Sequence, residues 1–214
     1  MSSKSTEAAD ALVMLQEGNL RFQKNVRSID ALASQARRDA LTSGQSPQAI
    51  VLSCSDSRVP SEIVFDCGLG DLFVVRVAGN VAAPSLVGSV EFAAATFGTQ
   101  LVVVMGHTGC GAIAATVRAL SGDSPSLSEN IHDIVERITP AVRPLLSAGT
   151  SGSELLRLAT RANVLQTAEH LRRGSRMLED YIRTGKLVVV GAEYSLETGA
   201  VDFFDVPEPF RKIA

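Results

Sequence analysis

A chain of 214 residues that is 45% hydrophobic can close one sizeable core, and we expect one compact α/β domain. Its 20 basic and 23 acidic residues are mixed along the chain and leave a net charge of -3. That balance argues against a nucleic-acid partner or an anionic membrane surface and favours a small neutral or anionic substrate. The three cysteines are too few for a disulfide framework, so metal binding or catalysis in a reducing, cytoplasmic compartment is the better interpretation. No stretch approaches the roughly 18 to 20 apolar residues that span a bilayer, although a signal peptide removed beforehand would leave no trace here.

The first predicted element is an amphipathic helix from about Ala8 to Phe22. It places Leu12, Leu15 and Phe22 on one stripe, with acidic residues within the same periodicity. An apolar stripe needs a surface to cover it, which the chain itself or a second copy could supply.

Four apolar runs follow, and they are continuous rather than alternating, which is typical of strands that are covered by helices on both faces. They are residues 49–54, 72–79, 101–107 and 187–195. Helical segments are predicted over Pro84–Phe97, Gly111–Leu120, Asn130–Leu146 and Glu154–Thr184. This alternation predicts a mostly parallel sheet. Residues 196–206 contain a Thr-Gly turn and alternating apolar residues, which predicts an antiparallel edge strand. The Ser/Pro/Gly-rich loop at residues 121–130 is too short to separate domains.

Polar side chains follow two of these runs at the point where each strand ends. Cys54, Asp56 and Arg58 follow the first run, and His107 and Cys110 follow the third. In an open α/β sheet, ligands bind beyond the carboxyl ends of the strands where the strand order reverses. The two groups therefore meet if these strands are neighbours across that reversal.

Two thiolates and one imidazole suit tetrahedral zinc with a fourth position left open. Cys110 opens a helix in a glycine-flanked turn, where backbone N–H groups favour a thiolate, and Gly109 and Gly111 let the backbone approach a ligand closely. Asp56 could occupy the fourth position, but Arg58 can hold it away in a bidentate pair. Zinc would then bind water and lower its pKa to about 7, which gives a hydroxide nucleophile.

These motifs, CSDSR and GHTGC with 53 positions from Cys54 to His107, resemble those of β-class carbonic anhydrases. The resemblance runs from Glu7 to Val206 and includes GDLFVVRVAGNV and GSVEFA. It implies a central sheet of four parallel strands with an antiparallel addition, within a single β-carbonic anhydrase domain over residues 1–214. It also implies a homodimer or homotetramer, in which a helical arm at residues 1–42 packs on the partner subunit and residues 43–214 form the zinc-binding core.

The same resemblance implies the site and the reaction. One Zn²⁺ per subunit would be held by Cys54, His107 and Cys110, with Asp56 and Arg58 gating and orienting the fourth ligand. Zinc-bound hydroxide would hydrate carbon dioxide reversibly to bicarbonate and a proton. The substrate-binding residues implied are Gln45, which reaches across the dimer interface, together with Phe73, Phe92 and Gly111. Some members carry a tryptophan of an inhibitory bicarbonate site where this chain has Val51, so that form of regulation is not expected.

Other interpretations keep parts of this pattern. The nearest alternative is an enzyme with the same fold and the same metal site that hydrolyses carbon disulfide or carbonyl sulfide. Gly109, Gly111 and Ala114 follow a strand as in a dinucleotide-binding module, but no acidic residue follows at a second strand end. A thiol phosphatase using Cys54 needs an arginine where the chain has Pro60. A non-catalytic, structural zinc site is a further interpretation, but the Asp56–Arg58 pair argues against it, because a closed site needs no displaceable carboxylate.

Overall fold

The computed structural model describes residues 3–26, 33–123, 127–208 and 210–212. Its strands are β1 (Ala49–Ser53), β2 (Leu72–Arg76), β3 (Leu101–His107), β4 (Val188–Tyr194) and β5 (Val201–Asp205). They form one five-stranded sheet in the order β2-β1-β3-β4-β5. The pairs β1–β2, β1–β3 and β3–β4 are parallel, and β5 is antiparallel to β4. The predicted α/β fold with an antiparallel edge strand is confirmed.

Helices cover this sheet, and along the chain they separate the parallel strands from one another, as the alternation predicts. They are α1 (Ser3–Gln23), α2 (Gln35–Ala40), α3 (Ser61–Val64), α4 (Pro84–Phe97), α5 (Gly111–Leu120), α6 (Glu129–Ser147), α7 (Gly152–Arg173) and α8 (Arg176–Arg183), with 3₁₀ turns at Ala78–Asn80 and Phe210–Lys212. The bounds of α4 and α5 are those predicted. Residues 124–126 of the predicted loop lie outside the described residues.

Two predicted elements end at least three residues earlier in the structure. The helix expected over Glu154–Thr184 breaks after Arg173, and Ser175 caps a new helix by accepting a hydrogen bond from the backbone N–H of Leu178 at 3.2 Å. The strand expected over residues 72–79 ends at Arg76, because the chain turns through left-handed conformations at Gly79 and Asn80, with φ of 70° and 45°.

Helix α1 is packed on its own subunit. Leu12 and Leu15 are fully buried and lie in one cluster with Val51 and Phe65. Asn19 ties the helix down, since its side chain donates to the backbone oxygens of Val64 and Gly199 at 3.1 and 2.8 Å. The apolar stripe of α1 is therefore covered by residues of its own subunit. The stripe gives no reason to expect a homodimer. Residues 27–32 of the predicted arm lie outside the described residues.

The order of the strands determines where the two motifs lie. The chain leaves β1 for β2 on one side and returns to β3 on the other, so the strand order reverses between β1 and β3. Ser53 is paired with Met105, which brings Cys54 and His107 to the same edge of the sheet. Within the described part of the chain, no helix has the length and apolar character needed to cross a membrane.

Candidate metal centre

Cys54, His107 and Cys110 converge at this edge. Cys54 is the first residue after β1, His107 is the last of β3, and Cys110 is the N-cap of α5. All three are buried, and their sulfur and nitrogen ligand atoms lie within 4.8 Å of one another. Two sulfurs and an imidazole nitrogen at this spacing form a donor set suited to a tetrahedral metal ion. It is the only such group of three or more donors among the described residues.

The imidazole of His107 is oriented for metal binding. Its Nδ1 lies 3.0 Å from the backbone oxygen of Thr108, which can only accept a hydrogen bond, so Nδ1 carries the proton. Nε2 is then left with its lone pair. It is buried and has no hydrogen-bond partner among the residues that the structure describes. A buried acceptor without a partner is costly, and a cation between the two sulfurs would satisfy it, so the residues present fit a zinc ion.

The pKa values of the two thiols shift in opposite directions. The pKa of Cys54 is lowered, chiefly because the Cys110 thiol donates to its sulfur, and the backbone N–H groups of Asp56 and Gly79 act in the same direction against the effect of burial. The pKa of Cys110 is raised, because its thiol gives that hydrogen bond and is buried. A divalent cation would replace the thiol protons and bind both sulfurs as thiolates.

Asp56 and Arg58 form the rim of the cluster. Arg58 donates from Nε to Oδ1 of Asp56 at 2.9 Å and from Nη2 to Oδ2 at 2.7 Å. Its backbone N–H also donates to Oδ1 at 3.0 Å. These bonds hold the pKa of Asp56 well below its usual range. The carboxylate is close to the donor set, with Oδ2 3.9 Å from Nε2 of His107. Arg58 reaches the second motif too, through a 3.3 Å bond to the oxygen of Gly109.

Two further groups support the first motif, and the sequence analysis did not identify them. Arg76, at the end of β2, donates to the backbone oxygens of Cys54 at 3.0 Å and Asp56 at 2.7 Å. The backbone N–H of Gly79 donates to Sγ of Cys54 at 3.4 Å. The sequence did contain a signal for Arg76, because a charged residue at the end of an apolar strand is unusual, and this strand ends at the same edge of the sheet as the strand before Cys54. A backbone donor such as Gly79 has no comparable sequence signal.

The predicted substrate-binding residues fall into two groups. Gly111 is at the cluster, and open space surrounds the position where a Cβ would lie. Gln45 precedes β1, whereas Cys54 follows it, and a five-residue strand spans roughly 16 Å. Phe73 pairs with Ile50 near the same far end of the strand. Its ring is 6.3 Å from that of Phe92, which is 54% exposed. Within one subunit, these last three predicted residues are not brought to the metal cluster.

Comparisons with known proteins identify the family to which this chain belongs. The profile of the carbonic anhydrase family matches residues 49–201. The chain is 39% identical to a carbonic anhydrase of Mycolicibacterium smegmatis, over 88% of this chain and 89% of that protein. It is 36% identical to carbonic anhydrase 2 of Mycobacterium tuberculosis, over 91% of this chain and 92% of that protein.

Solved structures show the same fold. The β-carbonic anhydrase CcaA superposes with a TM-score of 0.70 at 26% identity, covering 81% of this chain and 90% of the other. A tetrameric β-carbonic anhydrase of Sordaria macrospora has a TM-score of 0.71 at 21% identity, covering 80% and 87%. The dinucleotide-binding and phosphatase alternatives therefore lose their basis. The matching profile, the relatives and the shared fold show that the chain belongs to the β-class of the carbonic anhydrase family of enzymes.

Proposed function

We propose that this protein catalyses the reversible hydration of carbon dioxide to bicarbonate and a proton, with one zinc ion per subunit held by Cys54, His107 and Cys110. The observation that carries the proposal is the buried cluster of these three donors, beside a carboxylate that an arginine holds in a bidentate pair. The reaction adds one water molecule to carbon dioxide and releases one proton. The site must therefore supply a nucleophilic oxygen, orient it and admit the substrate.

A zinc ion held by these three residues would supply the nucleophile, because it would lower the pKa of a bound water molecule to about 7. Asp56 orients the attacking water. Its carboxylate is ionised at neutral pH and can accept a hydrogen bond from that water, which directs the oxygen lone pair toward carbon dioxide. Arg58 keeps both carboxylate oxygens engaged, so that Asp56 does not become the fourth ligand itself.

Apolar side chains surround the sulfurs of the cluster. Cys54 and Cys110 are packed in an apolar cluster with Val81, Ile113 and Ile138. This packing keeps water away from the sulfurs and strengthens their electrostatic interactions. Gly111 follows Cys110, and no atom from the rest of the described chain lies within 4 Å of the place where a Cβ on it would be, so this side of the cluster is not sterically crowded.

For assembly, we propose at least a homodimer in which Gln45, Phe73 and Phe92 line the site of the partner subunit. Two observations support this. These residues are remote from the cluster of their own subunit, and the Phe92 ring is about half exposed although it is large and apolar. Sedimentation at micromolar concentration tests the proposal, because a strictly monomeric, fully active protein would contradict it. A cytoplasmic location stays a prediction.

The decisive experiment measures the rate of carbon dioxide hydration against pH, with zinc content determined on the same sample. Removing zinc with dipicolinate should abolish hydration, and adding zinc should restore it. Cys54→Ser should lose both zinc and activity, whereas the matched Cys67→Ala should keep both. Cys67 is buried outside the cluster, where its thiol bonds to the oxygen of Phe65. Substantial hydration by verified metal-free protein would rule the proposal out. Faster hydrolysis of carbonyl sulfide or carbon disulfide by the same preparation would favour the alternative reaction.

A further inference from the structure

A buried asparagine lies in the middle of α7, away from the metal cluster in sequence. Asn163 is only 1% exposed, and its helix neighbours Ala159 and Val164 are fully buried apolar residues. Asparagine is a weak helix former, and burying an amide is costly unless it is hydrogen-bonded. Its Nδ2 donates to the backbone oxygen of Gly79 at 2.8 Å, across 84 residues of chain. The side chain therefore holds one specific point of the turn that follows β2.

That turn has an unusual backbone. Gly79 has φ of 70°, and the next residue, Asn80, is also left-handed with φ of 45°. The space around Gly79 is tight, since a Cβ there would lie 2.7 Å from Cδ1 of Ile138 and 3.1 Å from Cβ of Ala112. A non-glycine residue in a left-handed conformation persists only when its surroundings hold it there. The hydrogen bond from Asn163 is one of those constraints.

Gly79 also connects the turn to the metal cluster. Its backbone N–H donates to Sγ of Cys54 at 3.4 Å, a contact that is buried. The N–H and the carbonyl of Gly79 belong to successive peptide planes joined by its φ and ψ, so a hydrogen bond that holds the carbonyl restricts the orientations open to the N–H. A hydrogen bond to a ligating sulfur withdraws electron density from it, and groups that orient or polarise ligands change metal affinity and activity.

We propose that Asn163 is a positioning residue for the Cys54 ligand. Its amide holds Gly79 so that the Gly79 N–H stays on Sγ of Cys54 and tunes the electron density that this sulfur gives to the metal. The inference rests on the proposed role of Cys54 as a metal ligand. Asn163 touches neither the metal nor the substrate. Through Gly79, this side chain of α7 influences how strongly the Cys54 sulfur binds the metal.

The cobalt-substituted protein tests this inference, because its thiolate-to-cobalt charge-transfer band reports on sulfur electron density. Asn163→Ala should shift the band to longer wavelength, because the sulfur then keeps more electron density. It should also weaken metal binding about 10-fold in competition with a chelator, because the ligand is no longer held in its orientation. Thr160→Val is the matched control. Thr160 is 4% exposed on the same helix, and its hydroxyl donates to the Leu156 oxygen of that helix at 2.9 Å. This control should leave both the band and the affinity unchanged, even if it lowers stability.

The outcomes distinguish a failure of the proposed metal site from a failure of the positioning role of Asn163. A wild-type protein that shows no charge-transfer band on binding cobalt would contradict the metal site itself. A normal wild-type band together with an unshifted band in fully loaded Asn163→Ala would overturn the positioning role alone.

If Asn163→Ala does not fold, NMR of the ¹¹³Cd-loaded wild type decides. Couplings should connect the Gly79 amide proton with ¹¹³Cd and the Asn163 side-chain nitrogen with the Gly79 carbonyl carbon. The absence of either coupling would contradict the inference.

Discussion

Arg58→Ala is the most informative change at the candidate site, because it releases Asp56 without touching a metal donor. The substitution removes both guanidinium bonds to Asp56, at 2.9 and 2.7 Å, together with the 3.3 Å bond to the oxygen of Gly109. It leaves the 3.0 Å bond from the backbone N–H of residue 58, which any side chain except proline retains. Asp56 is therefore still tethered after the change, but one of its two oxygens has no partner from residue 58.

The structure indicates how far Asp56 must move to become a ligand. Bonds of about 2.1 Å and a tetrahedral angle put neighbouring ligand atoms of zinc about 3.4 Å apart. The freed oxygen, Oδ2, is 3.9 Å from Nε2 of His107, which is about half an ångström more than that separation. We expect the carboxylate to take the fourth position and to compete with water. Removing a partner that orients a metal site typically costs about 10- to 100-fold in activity, and we expect a loss of that size.

The assay is stopped-flow hydration of carbon dioxide against pH, with bound zinc measured in each sample. Arg58→Ala should keep stoichiometric zinc, because Cys54, His107 and Cys110 are unchanged. Arg58→Lys is the control, since it keeps the charge without the planar fork and should give an intermediate rate. A near-native rate in zinc-replete Arg58→Ala would refute the reasoning and would leave Asp56 and Arg58 as a structural ion pair beside the site.

Three further predictions follow from the same geometry. Asp56→Ala should be partly active and zinc-replete, with weaker inactivation at low pH, because the competing ligand is gone; the same pH–rate assay measures this. Burial raises the pKa of Cys67 from 9.0 to about 12, so its thiol should react with a thiol reagent only on unfolding. The pKa of Cys67 is higher in the folded than in the unfolded protein, so its thiol contributes fully to the free energy of unfolding below pH 9, and this contribution should be lost as pH rises toward 12. Denaturation of wild type and Cys67→Ala across this pH range would reveal the loss. Leu12→Ala should lower the free energy of unfolding by about 2–5 kcal/mol, whereas Leu20→Ala, at a position that is 50% exposed, should change it by less than about 1 kcal/mol; equal effects would contradict the packing of α1 on its own subunit.

Features that depend on neighbouring residues could be predicted from the sequence. Continuous apolar runs predicted the strands, and the segments between them predicted the bounds of α4 and α5. The Asp56–Arg58 contact was predictable as well, because a two-residue separation leaves the side chains within reach whatever the rest of the fold does. The break after Arg173 had a local signal too, in the Gly174–Ser175 pair that ends one helix and caps the next.

Contacts between distant parts of the chain were decided by the tertiary structure. The donors Cys54 and His107 meet only because β1 and β3 are neighbours, and the apolar pattern of the strands does not specify their order. The stripe on α1 was visible in the sequence, but its cover within the same subunit was not. Asn163 lies 84 residues from Gly79, and nothing local distinguishes it from a solvated asparagine on a helix. The physical reason is that the covalent chain determines which groups are close over a few residues, whereas the packing of the whole core determines which distant groups share a buried site.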